Sequence, residues 1–136
     1  MDSFGILEVS ASALDAERQR MDAIASNMAN ARSTKSSDGG PYRKREVVFS
    51  AMPVQAGQDD LEGVKVSDVV KENAFQQVYD PGNPDADKKG FVEMPDISVI
   101  KEMVDMMTAY RAYEASVSTF DISKAMLNKA LQLGGQ

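Results

Sequence analysis

DISVIKEMVDMMTAYRAYEASVSTFDISKAMLNKALQLGG, residues 96–135, is the stretch on which the fold turns. Val99, Met103, Met106, Tyr110, Tyr113, Val117, Phe120, Lys124, Leu127 and Leu131 alternate four- and three-residue steps without a break. Nine of these ten are apolar or aromatic, Lys124 being the exception. This is the a/d spacing of a helix–helix seam. Asp96, following Pro95, is expected to cap the helix, and Gly134-Gly135 to stop it. From Ile97 to Leu133 such a helix measures roughly 55 Å at about 1.5 Å per residue. A compact chain of this size is only about 30–35 Å across. The helix is therefore expected to protrude and to need a partner.

The N-terminal arm repeats the theme. Leu7, Leu14, Met21 and Met28 recur every seven residues, with Ala11, Ile24 and Ala25 on flanking positions, while Ser10 and Glu17 interrupt the second row. Ala11, Ala13, Ala25 and Ala29 are small enough to let another backbone approach. This helix is expected from about Phe4 to Asn30. Asn27 and Asn30, three apart near its end, are poor helix-interior residues, because their amides compete for backbone hydrogen bonds. Either they help to terminate the helix, or their amides bond neighbouring helices and fix register where apolar packing would permit sliding.

All five prolines and six of the nine glycines fall between residues 39 and 95. That partition predicts a mainly α protein with a small β insertion: an N-terminal helical arm over 1–31, a polar loop and thin β-rich segment over 32–95, and a long C-terminal helix over 96–136. The two long terminal helices would form a coiled-coil-like pair. Within the middle, REVVFSAM, GVKVSDVV, AFQQVY and GFVEM read as short strands, and DPGNPD as a turn-rich link. The middle is too thin to cover both arms. One arrangement is an intramolecular helical hairpin; the favoured one is a pairing whose remaining faces meet neighbouring subunits. Neither arm is expected to be reliably folded alone, since a costly helix nucleus is repaid mainly by packing.

Composition narrows function by exclusion. There are no cysteines and no histidines, which removes thiolate and imidazole catalysis and the commonest metal ligands. Enzymatic activity is not expected, nor any cofactor. The net charge of −6 argues against nucleic acid, although residues 32–45 carry +4, including Arg32, Lys35 and Arg43-Lys44-Arg45. That cluster reads as a solvated loop or a protein contact. No apolar run approaches the ~18 residues of a membrane span, so direct membrane insertion is not expected. The opening MDSFGILEVSAS lacks the basic start of a secretory signal. DADKKGFVEMPD, residues 85–96, loosely follows a calcium loop, but Lys89 takes a ligand position, Asp96 is short for a bidentate role, and no entering helix precedes it. An acidic turn ahead of a helix is the better account. Asp59, Asp60 and Glu62 read as a solvated carboxylate cluster. The methionines Met103, Met106 and Met107 could form an adaptable surface, or simply pack.

AERQRMDAIASNMANARS, followed by GGPYRKREVVF, resembles the N-terminal signature of the bacterial flagellar axial proteins of rod and hook. VYDPGNPDADKKGFVEMPDISVIKEMVDMMTAYRAYEAS, with the closing ALQLG, is similar to the proximal-rod branch of that family, and the likeness runs in order along nearly the whole chain. Many axial relatives close the N-terminal box with a short Thr-Pro-Gly-Tyr turn; here a longer polar loop leads to Pro41-Tyr42-Arg43. The resemblance implies a non-enzymatic subunit of the flagellar basal-body rod, the torque-transmitting shaft crossing the periplasm. It implies export by the flagellar type III apparatus without a cleaved signal, and helical assembly with the terminal helices lining the inner tube. Implied partners are further copies, other rod proteins and the rod-to-ring adaptor FliE. From the two helical stripes and the asparagine pair, the expected assembly residues are Leu7, Leu14, Met21, Ile24, Asn27, Met28, Asn30, Val99, Met103, Met106, Tyr110, Tyr113, Val117, Phe120, Leu127 and Leu131. The seam alone also fits a cytoplasmic coiled-coil adaptor or export chaperone.

Overall fold

The computed structural model describes residues 3–54 and 61–135; Asp59 and Asp60, of the carboxylate cluster, lie outside the described residues. Helix α1 spans Ser3–Ala29 and helix α2 Val99–Gly134, with strands β1 Lys44–Pro53, β2 Glu62–Glu72, β3 Phe75–Tyr79 and β4 Phe91–Pro95 between them. The strands form two separate antiparallel pairs, β1 with β2 and β3 with β4. In the first pair Val47 stands opposite Val69, and a bulge between Val48 and Phe49 shifts the register. The fold class is thus mainly helical with a small β segment, as the distribution of prolines and glycines indicates.

The start of α2 differs from expectation. Ser98, not Asp96, is the N-cap: its hydroxyl accepts the Lys101 N–H at 3.3 Å, and its backbone is extended (φ −84°, ψ 107°). Asp96 lies just past β4, where its N–H donates to the carbonyl of Ala74, the residue before β3, at 3.0 Å. Pro95 explains the delay. It ends β4 opposite Phe75, fully buried, so the chain leaves the strand extended before it can turn helical.

The helices pack against one another within the chain. They run antiparallel, since Asn27 at the end of α1 touches Glu102 in the first turn of α2. The covered row of α2 is Glu102, Met106, Ala109, Tyr113, Ser116, Phe120, Ser123 and Leu127. It shares Met106, Tyr113, Phe120 and Leu127 with the heptad read from sequence. The other row is displaced by one residue, about 100° around the helix. Ala109, with no exposure, and the serines allow a closer approach than Met103, Tyr110 or Leu131 would. The Ser116 and Ser123 hydroxyls donate to the carbonyls four residues back, at 3.0 and 2.8 Å, so they enter the seam without unpaired protons.

On α1 the close-packed small residues are Ala16 and Ala23, whereas Ala11, Ala25 and Ala29 are exposed and Ala13 half-buried. Ser10 is buried and Glu17 sits beside Arg20 at 3.6 Å, an ion-pair distance. A second face of α1 carries β2: Ser12 Oγ accepts the Val64 N–H at 3.1 Å and donates to the Val9 carbonyl at 2.7 Å. A Cβ at Gly63 would lie 2.6 Å from that hydroxyl and 3.3 Å from Val54 Cγ2. Gly63→Ala is therefore expected to displace Ser12, break the helix-to-strand bond and cost about 1–2 kcal/mol in urea unfolding.

Candidate assembly face and the polar junction behind it

Where α1, β1 and α2 converge, the centre is polar. Asn27 is 1% exposed and is one of the largest fully buried side chains. Its Nδ2 donates to the Arg45 carbonyl at 2.8 Å and to Glu102 Oε2 at 3.2 Å. Its Oδ1 accepts from the Arg45 N–H at 2.8 Å and from the Tyr42 hydroxyl at 2.9 Å. An amide has two protons to give and two lone pairs to receive, so every valence is used. The pairing with Arg45 copies a strand neighbour, docking the start of β1 against a helix.

Charge is neutralised in the same place. Glu102 is 2% exposed, and its second oxygen lies 3.4 Å from Lys44 Nζ. Burial pulls the Lys44 ammonium down, but Glu102, with Glu72 and Glu46 beyond, outweighs it, and the lysine titrates above its ordinary value of 10.5. Lys44 consequently supports the fold while Glu102 is ionised, and that support is lost as pH rises through the raised lysine value. Tyr42 bridges outward: its hydroxyl also meets Ser26 Oγ at 2.9 Å, its ring packs with Ala31 and Ile97, and the Arg45 guanidinium lies over it at 5.9 Å. A cleft of about 240 Å³ opens alongside, bordered by Arg20, Arg45, Glu46, Asp105 and the Asn27–Glu102 pair.

Asn30 has a different task. Its Nδ2 donates to the Ser26 carbonyl at 2.9 Å and its Oδ1 accepts from Ser33 Oγ at 3.1 Å, closing the helix end onto the loop. The basic cluster is spent largely inside the chain: Arg43 and Lys71 share Asp38 at 3.2 and 3.0 Å, and Lys35 meets Asp85 at 3.3 Å. Those bonds hold both carboxyls below their ordinary range, Asp38 through Lys71 and Arg43, Asp85 through Thr34 and Lys35. Asp87 Oδ1 accepts the Lys89 and Phe91 N–H groups at 2.8 and 2.9 Å, a self-bonded turn. Among the described residues no three acidic side chains gather into a metal site.

The residues singled out from sequence divide by position. Ile24 and Asn27 are buried. Leu7, Leu14, Met21, Met28, Asn30, Met106, Tyr113, Val117, Phe120 and Leu127 are half-buried. Val99, Met103, Tyr110 and Leu131 face outward, 43–64% exposed, beside Ile100, Val104 and Met107. Sequence reasoning missed Tyr42, Lys44, Arg45 and Glu102. The available signal was a carboxylate, Glu102, set among apolar residues of the first α2 turn, and a cation cluster at the start of a strand.

Two family models match the ends of the chain: "Flagella basal body rod protein" over residues 7–34 and "Flagellar basal body rod FlgEFG protein C-terminal" over residues 88–133. The class is that of the flagellar axial proteins. Full-length relatives refine it. The flagellar basal-body rod protein FlgC of Escherichia coli O6:H1 is 44% identical over 98% of this chain and 99% of its own length. FlgC of Salmonella typhimurium is 43% identical with the same coverage, and that of Bacillus subtilis 39% identical, again over 98% of this chain and 99% of the relative. The chain belongs to the FlgC family of flagellar basal-body rod proteins.

Two outcomes follow for the junction. Asn27→Ala strands the Glu102 carboxylate, the Arg45 peptide groups and the Tyr42 hydroxyl, and is expected to cost about 2–4 kcal/mol by chemical denaturation, against about 1 kcal/mol for Asn30→Ala. Glu46 titrates above its ordinary 4.5 because it hydrogen-bonds the neighbouring Glu72 carboxyl, is partly desolvated and feels that charge. A carboxyl raised by folding supports the fold below its ordinary pKa and loses that support as pH climbs through the raised value. Glu46→Gln is thus expected to raise Tm at pH 7, with the gain closing below pH 4.5.

Proposed function

We propose that this chain is a non-enzymatic structural subunit of the flagellar basal-body rod, crossing the periplasm after export by the flagellar type III apparatus without a cleaved signal. It assembles helically through its two terminal arms, over 1–31 and 96–136, with the 32–95 segment turned outward. Its partners are further copies, the other rod proteins and the rod-to-ring adaptor FliE.

The observation that carries this reading is uncovered surface. The chain exposes 9119 Å² at 14.8 kDa, whereas a compact monomer of that mass exposes about 7,000 Å². Large apolar side chains lie uncovered along α2, where Ile100, Met107, Ile122, Met126 and Leu133 are each 58–77% exposed. Isolated apolar residues are ordinary on a surface; a whole helix face of them is what an interface leaves behind in the free subunit. Membership of a rod family supplies the assembly in which such a face would be covered. No described helix is long and apolar enough to cross a membrane, so a bilayer-spanning α2 is not the alternative use of that face.

Complementation tests the proposal. In a motile bacterium deleted for its own FlgC-type protein, this chain is expected to restore soft-agar swarming and to co-purify with detergent-extracted basal bodies. Tyr110→Asp, on the exposed face, should abolish both while leaving the monomer's circular dichroism unchanged. A wholly cytosolic pool, or full motility with Tyr110→Asp, would overturn it.

A further inference from the structure

The β1–β2 ribbon has two edges, and side chains guard them in several places. In an antiparallel pair, alternate residues turn both backbone groups away from the partner strand. On β1 the outward set includes Arg45, whose N–H and C=O both bond the Asn27 amide. On β2 it includes Val64 and Val69, whose N–H groups donate to Ser12 Oγ at 3.1 Å and to Asp68 Oδ1 at 2.8 Å. The ladder sets Arg45 opposite Lys71, Val47 opposite Val69, Phe49 opposite Val66 and Ala51 opposite Val64, so both ends of the ribbon agree on which residues face outward. The register shift beside Phe49 also interrupts the β2 edge between Val66 and Val69. Plain edges recruit further strands, and capping or bulging them prevents it.

One stretch of edge has no such guard. Val47 and Phe49 belong to the outward set of β1, and among the described residues nothing beyond the ladder bonds their backbone groups. The same two residues border the cleft of about 240 Å³, whose facing wall is Arg20, Ala23 and Ile24 of α1. Asn27 also borders it, already standing where a strand neighbour of Arg45 would stand. At about 240 Å³ the cleft falls below the roughly 300–1,000 Å³ of small-molecule pockets. It suits a single extended backbone.

Charge indicates what kind of backbone. Lys44 is paired with Glu102 and Arg20 with Glu17, while the Arg45 guanidinium lies over the Tyr42 ring. The remaining charges on the border, Glu46 and Asp105, enter none of the ion pairs among the described residues. Glu46 moreover meets the Glu72 carboxyl, a like-charge contact that a cation would relieve. Phe49, 36% exposed, and the half-buried Val47 add apolar contact. The strands of this chain each have a strand neighbour already. With α1 as the facing wall, the cleft admits only a segment that brings no sheet of its own, so the occupant comes from another protein.

We propose that β1 receives a third strand here: an extended segment of a partner protein, alternately apolar and basic, bonds the backbone of Val47 and Phe49 next to the Asn27 amide and turns a lysine or arginine toward Glu46 and Asp105. None of Met103, Met107 or Tyr110 borders the cleft, so the contact stands apart from whatever covers the outer face of α2.

Titration of the full chain with a short synthetic peptide of alternating valine and lysine, followed by amide NMR, tests it. The Val47 and Phe49 amides are expected to shift and, at saturation, to exchange about tenfold more slowly. Methylating every backbone amide of the peptide should weaken binding about tenfold or more, and so should exchanging its lysines for glutamates. Val47→Pro removes an outward N–H without touching the ladder and should weaken binding about tenfold with unchanged circular dichroism. Glu46→Gln combined with Asp105→Asn should erase the preference for lysine over glutamate. Equal binding of the methylated peptide, shifts that miss Val47 and Phe49, or no binding of the lysine peptide would overturn the proposal. The same shifts on concentrating the chain alone would make a second copy the occupant and overturn it too.

Discussion

One buried amide organises this molecule. Asn27 joins the end of the first helix, the start of the first strand and the first turn of the second helix through four hydrogen bonds. A buried polar group earns its place only when all of its valences are met, since an orphaned donor or acceptor costs about 1–3 kcal/mol. Here the bonds lead to Glu102 of α2, to Tyr42 and to both backbone groups of Arg45 at the start of β1, so satisfaction requires a single arrangement of the three elements. Apolar packing along alanines and serines would tolerate sliding. The amide, and the Glu102–Lys44 pair it touches, do not.

That constraint explains how α2 is divided. Glu102 must point inward to reach Asn27 and Lys44, which sets the rotation of the helix about its axis. The residues falling on the same side further along are Ala109, Ser116 and Ser123, small enough for α1 to lie close. The larger apolar residues Met103 and Tyr110 are consequently turned outward. The subunit thus sets a row of small residues beside Met106, Tyr113, Phe120 and Leu127 in its own helix seam and presents Met103 and Tyr110 outward.

Much of the architecture is legible in the residues. The breaker-free flanks, the four β-like runs and the Pro-rich link correspond to the helices, strands and turn observed, because those signals are local and the backbone obeys them. The α2 start was misread by two residues, since Pro95 also belongs to a strand pairing that only the sheet reveals. Of the two rows of the heptad, one packs on α1 and the other faces outward: spacing cannot tell a row that faces a partner in the same chain from one that does not. Glu102 was the clue, a carboxylate too costly to bury unless a partner waits for it. That partner, Lys44, sits in a basic cluster which composition reads as solvated, and Tyr42 reaches the site from a loop with no periodicity at all. Asn27, read as either ending its helix or bonding a neighbouring one, bonds Glu102 of α2 within its own chain.

Residue-resolved amide hydrogen exchange on the dilute monomer addresses the central claim, that the Asn27 junction is where the fold is held. The account predicts the slowest exchange around the junction, in the last two turns of α1, the start of β1 and the first turns of α2. It predicts faster exchange toward Ser3 and beyond Ile122, and collective loss of the protected set in Asn27→Ala. Uniform protection along both helices, or an Asn27→Ala chain whose protection is unchanged, would contradict it.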